Sequence, residues 1–410
     1  MQQLKKAEQA LFFLAILFLP TQLGKHFWPD FSYVYSLKID YLSPTIYFWD
    51  ILVIFLLVVA LINRLAINRI ALNLYFFFIF TQILSLVNSA NIGAGLFRLE
   101  QFFISGFFGI YLASMDFKSQ ISKVTVPLML AVAFQSLLGV AQVLKGGSVG
   151  FWVLGERSFV ITTPAIAKFD FYGMELLRPY ATFPHPNVLA AFLLLATLFL
   201  SLFSQEFAQI TNGSRYKRGI TRVAIFLSGI TAVLTFSRVA LLLFLFSAIF
   251  FLRKKMLILI FVLVLLISPL LFARYSSLFN YDSLTVLRRT ELAEKSFEYF
   301  IKSPIFGVGL NNFIPTLSYD MVSGPNRFLQ PVHNIFLLSL SETGIIGLIG
   351  LFVLIAYPLL FKIKDKKWLV IWGVTIFLGM FDHYFLTIPQ GYRMLFLLWG
   401  LSISRVKIFK

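Results

Sequence analysis

Residues 256–272 read MLILIFVLVLLISPLLF, a run of 17 residues without a charged side chain. Runs of this kind recur along the 410-residue chain, in which 59% of residues are hydrophobic, 17% aromatic and 13% charged. A soluble domain carries about a quarter charged residues, and one globular core could not bury this many apolar runs. The composition therefore excludes a soluble protein and predicts an all-α, polytopic transmembrane helical bundle.

A transmembrane helix needs about 20 apolar residues. That length predicts about twelve spans, near residues 8–22, 46–62, 70–88, 98–115, 124–143, 184–204, 220–236, 239–252, 256–272, 334–360, 368–385 and 392–404. The seventh and eighth spans meet at Ser237 and Arg238, which interrupt one long apolar stretch, so a tight turn is expected there. The first segment starts with Lys5 and Lys6 but lacks a small-residue cleavage site, which predicts a retained helix rather than a secretory signal.

The distribution of basic residues predicts the orientation. With both termini in the cytoplasm, the inner segments hold 20 lysines and arginines against four acidic residues, and the rest of the chain holds 15 against 14. This is the positive-inside pattern of membrane proteins. It accounts for most of the net charge of +17, and the basic clusters flank spans instead of forming a stripe, so no nucleic-acid partner is expected.

Two long loops are predicted on the outer side, at residues 145–183 and 273–332. The second contains a predicted amphipathic helix from Leu284 to Lys302, which should lie flat at the membrane interface and stop at Pro304. Its apolar stripe consists of Val286, Ala293, Phe297, Phe300 and Ile301. The sequence thus predicts a single membrane domain over residues 1–410 that includes both loops.

Several kinds of site lack support in the sequence. The chain has no cysteine, and its four histidines form neither a helical i, i+4 pair nor a His-Glu-x-x-His run, so a metal centre has little support. There is no phosphate-binding glycine loop, which argues against nucleotide hydrolysis. No internal repeat of the kind found in inverted-repeat transporters is visible.

Three polar clusters mark the predicted outer boundary: Leu177–Asn187, Thr235–Arg238 and His333–Asn334. Arg178 and Arg238 lie at or just above membrane depth. A lone arginine there usually extends to lipid headgroups, but Arg238 interrupts an apolar run, and a planar guanidinium suits a diphosphate. His333 opens the tenth span, where an imidazole serves either as an interfacial group bonded to backbone or as a general base.

Other polar residues have structural roles as their first interpretation. Glu342 lies inside the tenth span, where an acid is not expected to face lipid, so it should be protonated or paired within the bundle. His185 stands between two prolines and suits a helix entry. His26 and the Asp382–His383 pair are also predicted to face outward. Small residues at every third position, Gly344, Gly347 and Gly350, permit the close approach of another helix.

These motifs resemble those of the O-antigen ligase family, which shares its architecture with O-antigen polymerases. The resemblance extends over nearly the whole chain. It is carried by the stretch Arg178–Asn187, Arg238-x-x-x-Leu242, the run His333-Asn334-x9-Gly344-x-x-Gly347, the Tyr41–Pro44 loop and the run Ser303–Gly309.

The resemblance implies a metal-independent membrane glycosyltransferase without a cofactor. It would move a glycan from an undecaprenyl-diphosphate carrier to a lipid or glycan acceptor, among membrane lipids, on the outer face of the bacterial cytoplasmic membrane. A single attack from the opposite face would invert the anomeric centre. His333 would be the general base, and Arg178 and Arg238 would hold the diphosphate. The candidate supporting residues are Asn334, Glu342, Arg288, Arg289 and His185.

Two other functions stay open at this point. A polymerase that joins lipid-linked repeat units would share the donor, the site and the topology. A transporter or flippase of lipid-linked glycans would use the same arginines to grip the diphosphate but would not need His333 as a base.

Overall fold

The computed structural model describes residues 2–171, 173–210, 215–251, 268, 272, 284–320, 329–361 and 365–404. The predicted span 256–272, apart from Ser268 and Phe272, lies outside these residues, as do 273–283 and 321–328 of the second long loop. The inner basic residues at 253–255, 362, 364, 405, 407 and 410 also lie outside them.

The described residues are mostly helical. The first nine helices are α1 (Gln2–Leu17), α2 (Phe48–Ile62), α3 (Arg69–Leu84), α4 (Ile92–Ser114), α5 (Phe117–Lys145), α6 (Pro186–Leu202), α7 (Ser204–Ile210), α8 (Arg215–Leu234) and α9 (Arg238–Phe251). Six more follow: α10 (Leu284–Lys302), α11 (Phe313–Asp320), α12 (Ile335–Phe361), α13 (Lys366–Phe381), α14 (Tyr384–Thr387) and α15 (Pro389–Ser402).

Three small antiparallel hairpins lie in the connections. Strand β1 (Gly24–His26) pairs with β4 (Thr45–Tyr47). In the sequence between these two strands, β2 (Tyr33–Val34) pairs with β3 (Leu37–Lys38). In the loop after α5, β5 (Lys168–Phe171) pairs with β6 (Met174–Leu177).

Helices lie over eleven of the twelve predicted spans. Among the described residues, four segments are long and apolar enough to cross a membrane: Arg69–Asn88, Ile92–Ser114, Phe117–Lys145 and Ile335–Phe361. The other apolar helices are shorter, so the twelve-span topology and its orientation stay predictions. Two helices end earlier than predicted, α1 at Leu17 shortly before Pro20, and α13 at Phe381, because Asp382 is extended (φ −156°, ψ 163°).

Contacts between Cα atoms divide the chain into two compact units. The first comprises Met1–Ala15, Gly24–Gln120 and Leu287–Lys410. In it α4 packs against α15, and α3 packs against α12. Gly109 and Gly400 make the first of these contacts close, because a Cβ atom on Gly400 would lie 2.3 Å from the Gly109 carbonyl oxygen. Small residues at this crossing therefore let two helix backbones meet.

The second unit comprises Ile16–Leu23 and Ile121–Val286. Helix α6 is buried along nearly its whole length and packs against α8 and α9. In the loop after α5, the buried Glu156 carboxylate accepts hydrogen bonds from the backbone N–H groups of Val149, Gly150 and Phe151, at 2.6 to 2.7 Å. It also accepts one from the Gln142 amide, whose own oxygen accepts from the N–H groups of Tyr180 and Ala181. This network fixes the backbone that follows Arg178.

The amphipathic helix predicted from the sequence is confirmed with the same ends, as α10. The outward part of its apolar stripe is open, since Phe297 is 53% and Ile301 71% exposed. A second face of the helix buries Leu292 and Tyr299 in a cluster with Leu338 of α12. The sequence pattern did not predict this second face, which attaches α10 to the helix that follows His333.

Candidate active site

The position of His333 is fixed by the start of α12. The Asn334 carboxamide oxygen accepts hydrogen bonds from the N–H groups of Phe336 and Leu337, at 2.8 and 3.0 Å. Its amide nitrogen donates to the Met380 carbonyl oxygen of α13, at 3.0 Å. Asn334 thus satisfies donors at the first turn of α12, as an N-cap residue does, and attaches this helix end to α13. Asn334, a predicted supporting residue, thus fixes the backbone next to His333.

The His333 imidazole meets a carboxylate in the link between α13 and α14. Its Nδ1 atom lies 3.5 Å from the Oδ1 atom of Asp382, and the two side chains are 17% and 14% exposed. Burial raises the pKa of Asp382, but the hydrogen bond to His333 and nearby positive charge, including that of Arg289 on α10, outweigh it, so the net pKa lies well below its usual range. Asp382 therefore stays ionised beside the imidazole at neutral pH.

The pair has the geometry of a base and the group that orients it. With Nδ1 directed at a carboxylate, the opposite ring nitrogen, Nε2, is left for a substrate proton. This tautomer is assigned from the hydrogen-bond geometry. Because both side chains remain partly exposed, a hydroxyl group can approach the imidazole.

His383 adjoins this pair. Its ring centroid lies 5.1 Å from that of His333, and its Nδ1 atom lies 2.6 Å from the Thr387 hydroxyl oxygen. Tyr41, from the loop between β3 and β4, packs edge-on against the His383 ring at 5.7 Å. The Tyr41–Pro44 loop, which carries part of the family resemblance, thus lies beside the candidate active site.

Helix α12 is broken at Gly344. This glycine has a positive φ of 63°, and the run Ser303–Gly309 docks into the break. The N–H groups of Val308 and Gly309 donate to the carbonyl oxygens of Ser341 and Glu342, at 2.9 and 2.8 Å. The N–H group of Ile345, on the other side of the break, donates to the Pro304 carbonyl oxygen at 2.9 Å.

The glycines of the motif therefore have different roles. A Cβ atom on Gly344 would lie 2.2 Å from the Ile305 carbonyl oxygen, whereas one on Gly350 would meet the Thr81 hydroxyl of α3 at 2.0 Å. The expectation of helix approach describes Gly350, but it is wrong for Gly344, which faces the backbone of the 303–309 run in a conformation that favours glycine.

Glu342 is a structural anchor, in line with its first interpretation. Its carboxylate accepts hydrogen bonds from the N–H groups of Asn311 and Phe313, both at 3.1 Å. The Asn311 side chain accepts from Arg98 at 3.3 Å, and Arg98 also donates to the Thr387 carbonyl oxygen at 2.9 Å. A buried polar network thus connects the Glu342 turn with the segment that carries His383.

Arg178 and Arg238 belong to the second unit. The Arg178 side chain is buried, and its Nε atom donates to the Thr235 carbonyl oxygen at 2.6 Å. One of its terminal nitrogens donates to the Asn187 side-chain oxygen at 2.7 Å. Thr235 lies in the turn between α8 and α9, and half-buried Arg238 opens α9. The predicted turn at this point is confirmed, and Arg178 is attached to it.

Two neighbours hold this arrangement. Phe169 of β5 stacks on Phe236 of the turn, with ring centroids 4.3 Å apart. His185 caps α6, because its Nδ1 atom accepts a hydrogen bond from the Asn187 N–H at 3.1 Å. The structure therefore gives His185 the role of a helix entry, and through Asn187 it also supports Arg178.

The predicted site residues fall into two sets. His333, Asn334 and Glu342 lie in the first unit together with Arg288 and Arg289 of α10, and Arg178, His185 and Arg238 lie in the second. Sequence reasoning did not pair Asp382 with His333. One sequence feature could have identified Asp382 as a site residue: it is an acid next to a histidine at a predicted membrane boundary. For Arg98, the signal was a cation inside an apolar span.

A family model described as O-antigen ligase matches residues 223–352. The matched segment contains the α8–α9 turn, α10, His333 and the break at Gly344, and it covers less than half of the chain. Arg178, Asp382 and His383 lie outside it. No curated protein matches the chain. The match confirms the resemblance seen in the motifs: residues 223–352 of the chain are similar to the O-antigen ligase family.

Proposed function

We propose that this protein is an inverting, metal-independent glycosyltransferase that moves a glycan from an undecaprenyl-diphosphate carrier to an acceptor hydroxyl. The reaction is proposed to take place on the outer face of the bacterial cytoplasmic membrane. The observation that carries the proposal is the contact of 3.5 Å between His333, inside the family segment, and the carboxylate of Asp382.

His333 acts as the general base in this proposal. The Asp382 carboxylate accepts a hydrogen bond from Nδ1–H and holds the ring, so the Nε2 lone pair can take the proton of the acceptor hydroxyl. The oxygen then forms a bond to the anomeric carbon while the bond from that carbon to the diphosphate breaks. Proton transfer to a positioned side chain contributes about 10²- to 10⁴-fold to a rate.

Arg178 and Arg238 stabilise the leaving group. Negative charge grows on the diphosphate oxygen as the glycosidic bond breaks, so a fixed guanidinium stabilises the transition state more than the ground state. The bonds from Arg178 to Thr235 and Asn187 fix its planar group without neutralising its charge. No step of this scheme requires a metal, because the proton goes to an imidazole and the charge to arginines.

The His333–Asp382 pair favours an enzyme over a transporter. A transporter or flippase must grip the diphosphate and release it, but it has no proton to remove from a hydroxyl. A polymerase would use the same base and the same arginines, and it differs from a ligase only in the acceptor.

The test is a transfer assay with the purified full-length protein and an undecaprenyl-diphosphate-linked glycan. Three reactions contain a lipid A core acceptor, a second lipid-linked repeat unit, or no acceptor. Glycan on the lipid A core would indicate a ligase, and a lengthened lipid-linked product would indicate a polymerase. Movement of the intact donor across vesicles without transfer to any acceptor would contradict the proposed enzyme and support the transporter.

A further inference from the structure

We propose that His333, Asp382 and His383 form a binding site for Zn²⁺ or a similar first-row transition-metal dication, and that a bound ion inhibits glycan transfer. The binding half stands on the geometry of these side chains alone. The inhibitory half rests on the proposed function of His333. No short spacing motif predicts this site, because Asp382 and His383 lie 49 or more positions from His333.

The three side chains already surround one point. One potential ligand atom from each lies within 4.8 Å of the other two. The Asp382 Oδ1 atom is 3.5 Å from His333 Nδ1 and 3.9 Å from His383 Nε2. Ligand bonds to zinc measure about 2.0 to 2.2 Å, so modest side-chain movements would close the site around an ion.

The donor set matches the chemistry of zinc. Two imidazoles and one carboxylate are the protein ligands of a well-known class of open zinc site, in which the fourth position is taken by water or a substrate. Imidazole nitrogen also binds Zn²⁺, Cu²⁺ and Ni²⁺ more tightly than Mg²⁺ and Ca²⁺, which prefer sites made of oxygen atoms. The ligand class is therefore a borderline transition metal rather than a hard dication.

A second layer of hydrogen bonds orients His383 for this role. The Thr387 hydroxyl donates to the His383 carbonyl oxygen at 3.1 Å, so its oxygen accepts from His383 Nδ1 at 2.6 Å. This places the Nδ1 proton on the threonine side and the lone pair on Nε2, towards the Asp382 carboxylate. Nε2 is therefore the nitrogen of His383 that would bind an ion, 3.9 Å from the Asp382 Oδ1 atom. Metal-ligating histidines are commonly held by such a partner.

The ion would block His333 through its tautomer. In the proposed reaction the proton is on Nδ1 and the lone pair on Nε2. A metal bound at Nδ1 needs the lone pair of that nitrogen, so the proton of the neutral imidazole must be on Nε2 instead. The nitrogen that should accept the acceptor proton is then already protonated. Asp382 changes at the same time from hydrogen-bond acceptor to metal ligand.

Arg289 opposes the ion. Its positive charge acts on Asp382, so it stabilises the carboxylate and repels a dication at the same place. Replacing it with an uncharged residue of similar length, Arg289→Gln, should therefore tighten metal binding. Loss of binding in this variant would contradict the location of the ion beside Asp382.

The binding test uses the full-length protein in detergent after treatment with a chelator. Zn²⁺ is titrated by calorimetry, and Co²⁺ is titrated by its visible absorption, which reports coordination geometry. We expect one ion per chain, and affinity at least tenfold lower in His383→Gln and in Asp382→Asn. His26→Gln is the matched control, since His26 bonds Ser43 and Thr45 outside this cluster, and it should bind as the wild type does.

Absence of binding to the wild-type protein, or equal affinity in both variants and the wild type, would overturn the site. Thermal unfolding of His383→Gln shows whether the variant is folded, and Asp382→Asn tests the same ion through a different side chain. Because two different side chains are tested, the conclusion about metal binding does not depend on the folding of a single variant.

The inhibition test adds Zn²⁺ to the transfer assay. We expect the rate of the wild type to fall at least tenfold, to recover with chelator, and to respond far less in His383→Gln. Bound Zn²⁺ that leaves the wild-type rate unchanged would overturn the inhibitory half. If the metal-free protein transfers no glycan, the proposed function fails, while the calorimetric and cobalt titrations still decide the metal site.

Discussion

The Nδ1 atom of His333 and the Oδ1 atom of Asp382 lie 3.5 Å apart, although 49 positions separate the two residues in the sequence. His333 precedes α12, and Asp382 follows α13. The side-chain amide of Asn334 donates to the Met380 carbonyl oxygen, which attaches the two helix ends to each other. The contact therefore depends on backbone positions that are fixed on both sides.

Asp382→Asn should lower the rate constant of transfer on the order of 10²-fold and change the KM for the donor far less. The amide cannot stabilise a developing imidazolium, and it can hold the wrong tautomer of His333. Steady-state kinetics of the purified variant measure both constants. Asp365→Asn is the control, because Asp365 caps the opposite end of α13 and should leave the rate unchanged. Equal rates in Asp382→Asn and the wild type would exclude Asp382 as a positioning residue.

Arg178→Lys should weaken donor binding roughly tenfold, although the charge is retained. A lysine cannot make both of the bonds that Arg178 makes to the Thr235 carbonyl oxygen and the Asn187 side chain. Titration of the lipid-linked donor gives the dissociation constant. Arg157→Lys, an exposed exchange of the same kind in the same loop, should have no effect. Unchanged donor affinity in Arg178→Lys would remove Arg178 from the diphosphate site.

Gly344→Ala should destabilise the protein by about 2 kcal/mol or more. The residue has a positive φ, and the new Cβ atom would meet the Ile305 carbonyl oxygen. Gly373→Ala in α13 is the matched control, because no atom lies within 4 Å of its Cβ position. A helical Gly→Ala exchange gains up to about 1 kcal/mol. Thermal unfolding compares the two variants, and equal stability would contradict the role assigned to the break in α12.

Glu156→Gln should lower stability at neutral pH by an amount that shrinks in acid. Burial raises the pKa of Glu156, but hydrogen bonds from Gln142 and from the backbone of Val149, Gly150 and Phe151 outweigh it, so the net pKa is lowered. A depressed folded pKa stabilises the protein above the unfolded value of about 4.3, and this contribution is lost as the pH falls below that value.

Unfolding temperatures of the wild type and Glu156→Gln at about pH 7, 5 and 3.5 measure this effect. The difference between them should be constant down to about pH 5 and narrow towards pH 3.5. Glu175→Gln, at an exposed ion pair with Lys168 on the neighbouring hairpin, should show a much smaller difference at pH 7. If the difference in unfolding temperature between Glu156→Gln and the wild type does not change with pH, the ionised Glu156 carboxylate contributes nothing to stability.

Helix positions follow from the sequence because apolar runs and their interruptions are local signals. The amphipathic helix Leu284–Lys302 has the predicted ends, and the turn before Arg238 forms where Ser237 interrupts the run. The helix ends at Leu17 and Phe381 were missed, since nearby residues alter the backbone without changing hydrophobicity much.

The site could be predicted residue by residue but not as a constellation. His333 and the arginines stand out because charged or titratable groups at a membrane boundary are costly. The roles of Asp382 and Arg98 depend on contacts with residues 49 or more positions away in the sequence, and short sequence motifs do not predict such contacts. The role of Gly344 could not be predicted either, because a break in a helix depends on the 303–309 segment that docks into it.

The most direct test of the account is His333→Ala in the purified full-length protein, with glycan transfer and donor affinity measured on the same preparation. The imidazole takes a proton from the acceptor and does not hold the diphosphate. We therefore expect transfer to fall by at least about 10²-fold while donor affinity stays near that of the wild type. Transfer at the wild-type rate in this variant would contradict the proposed mechanism.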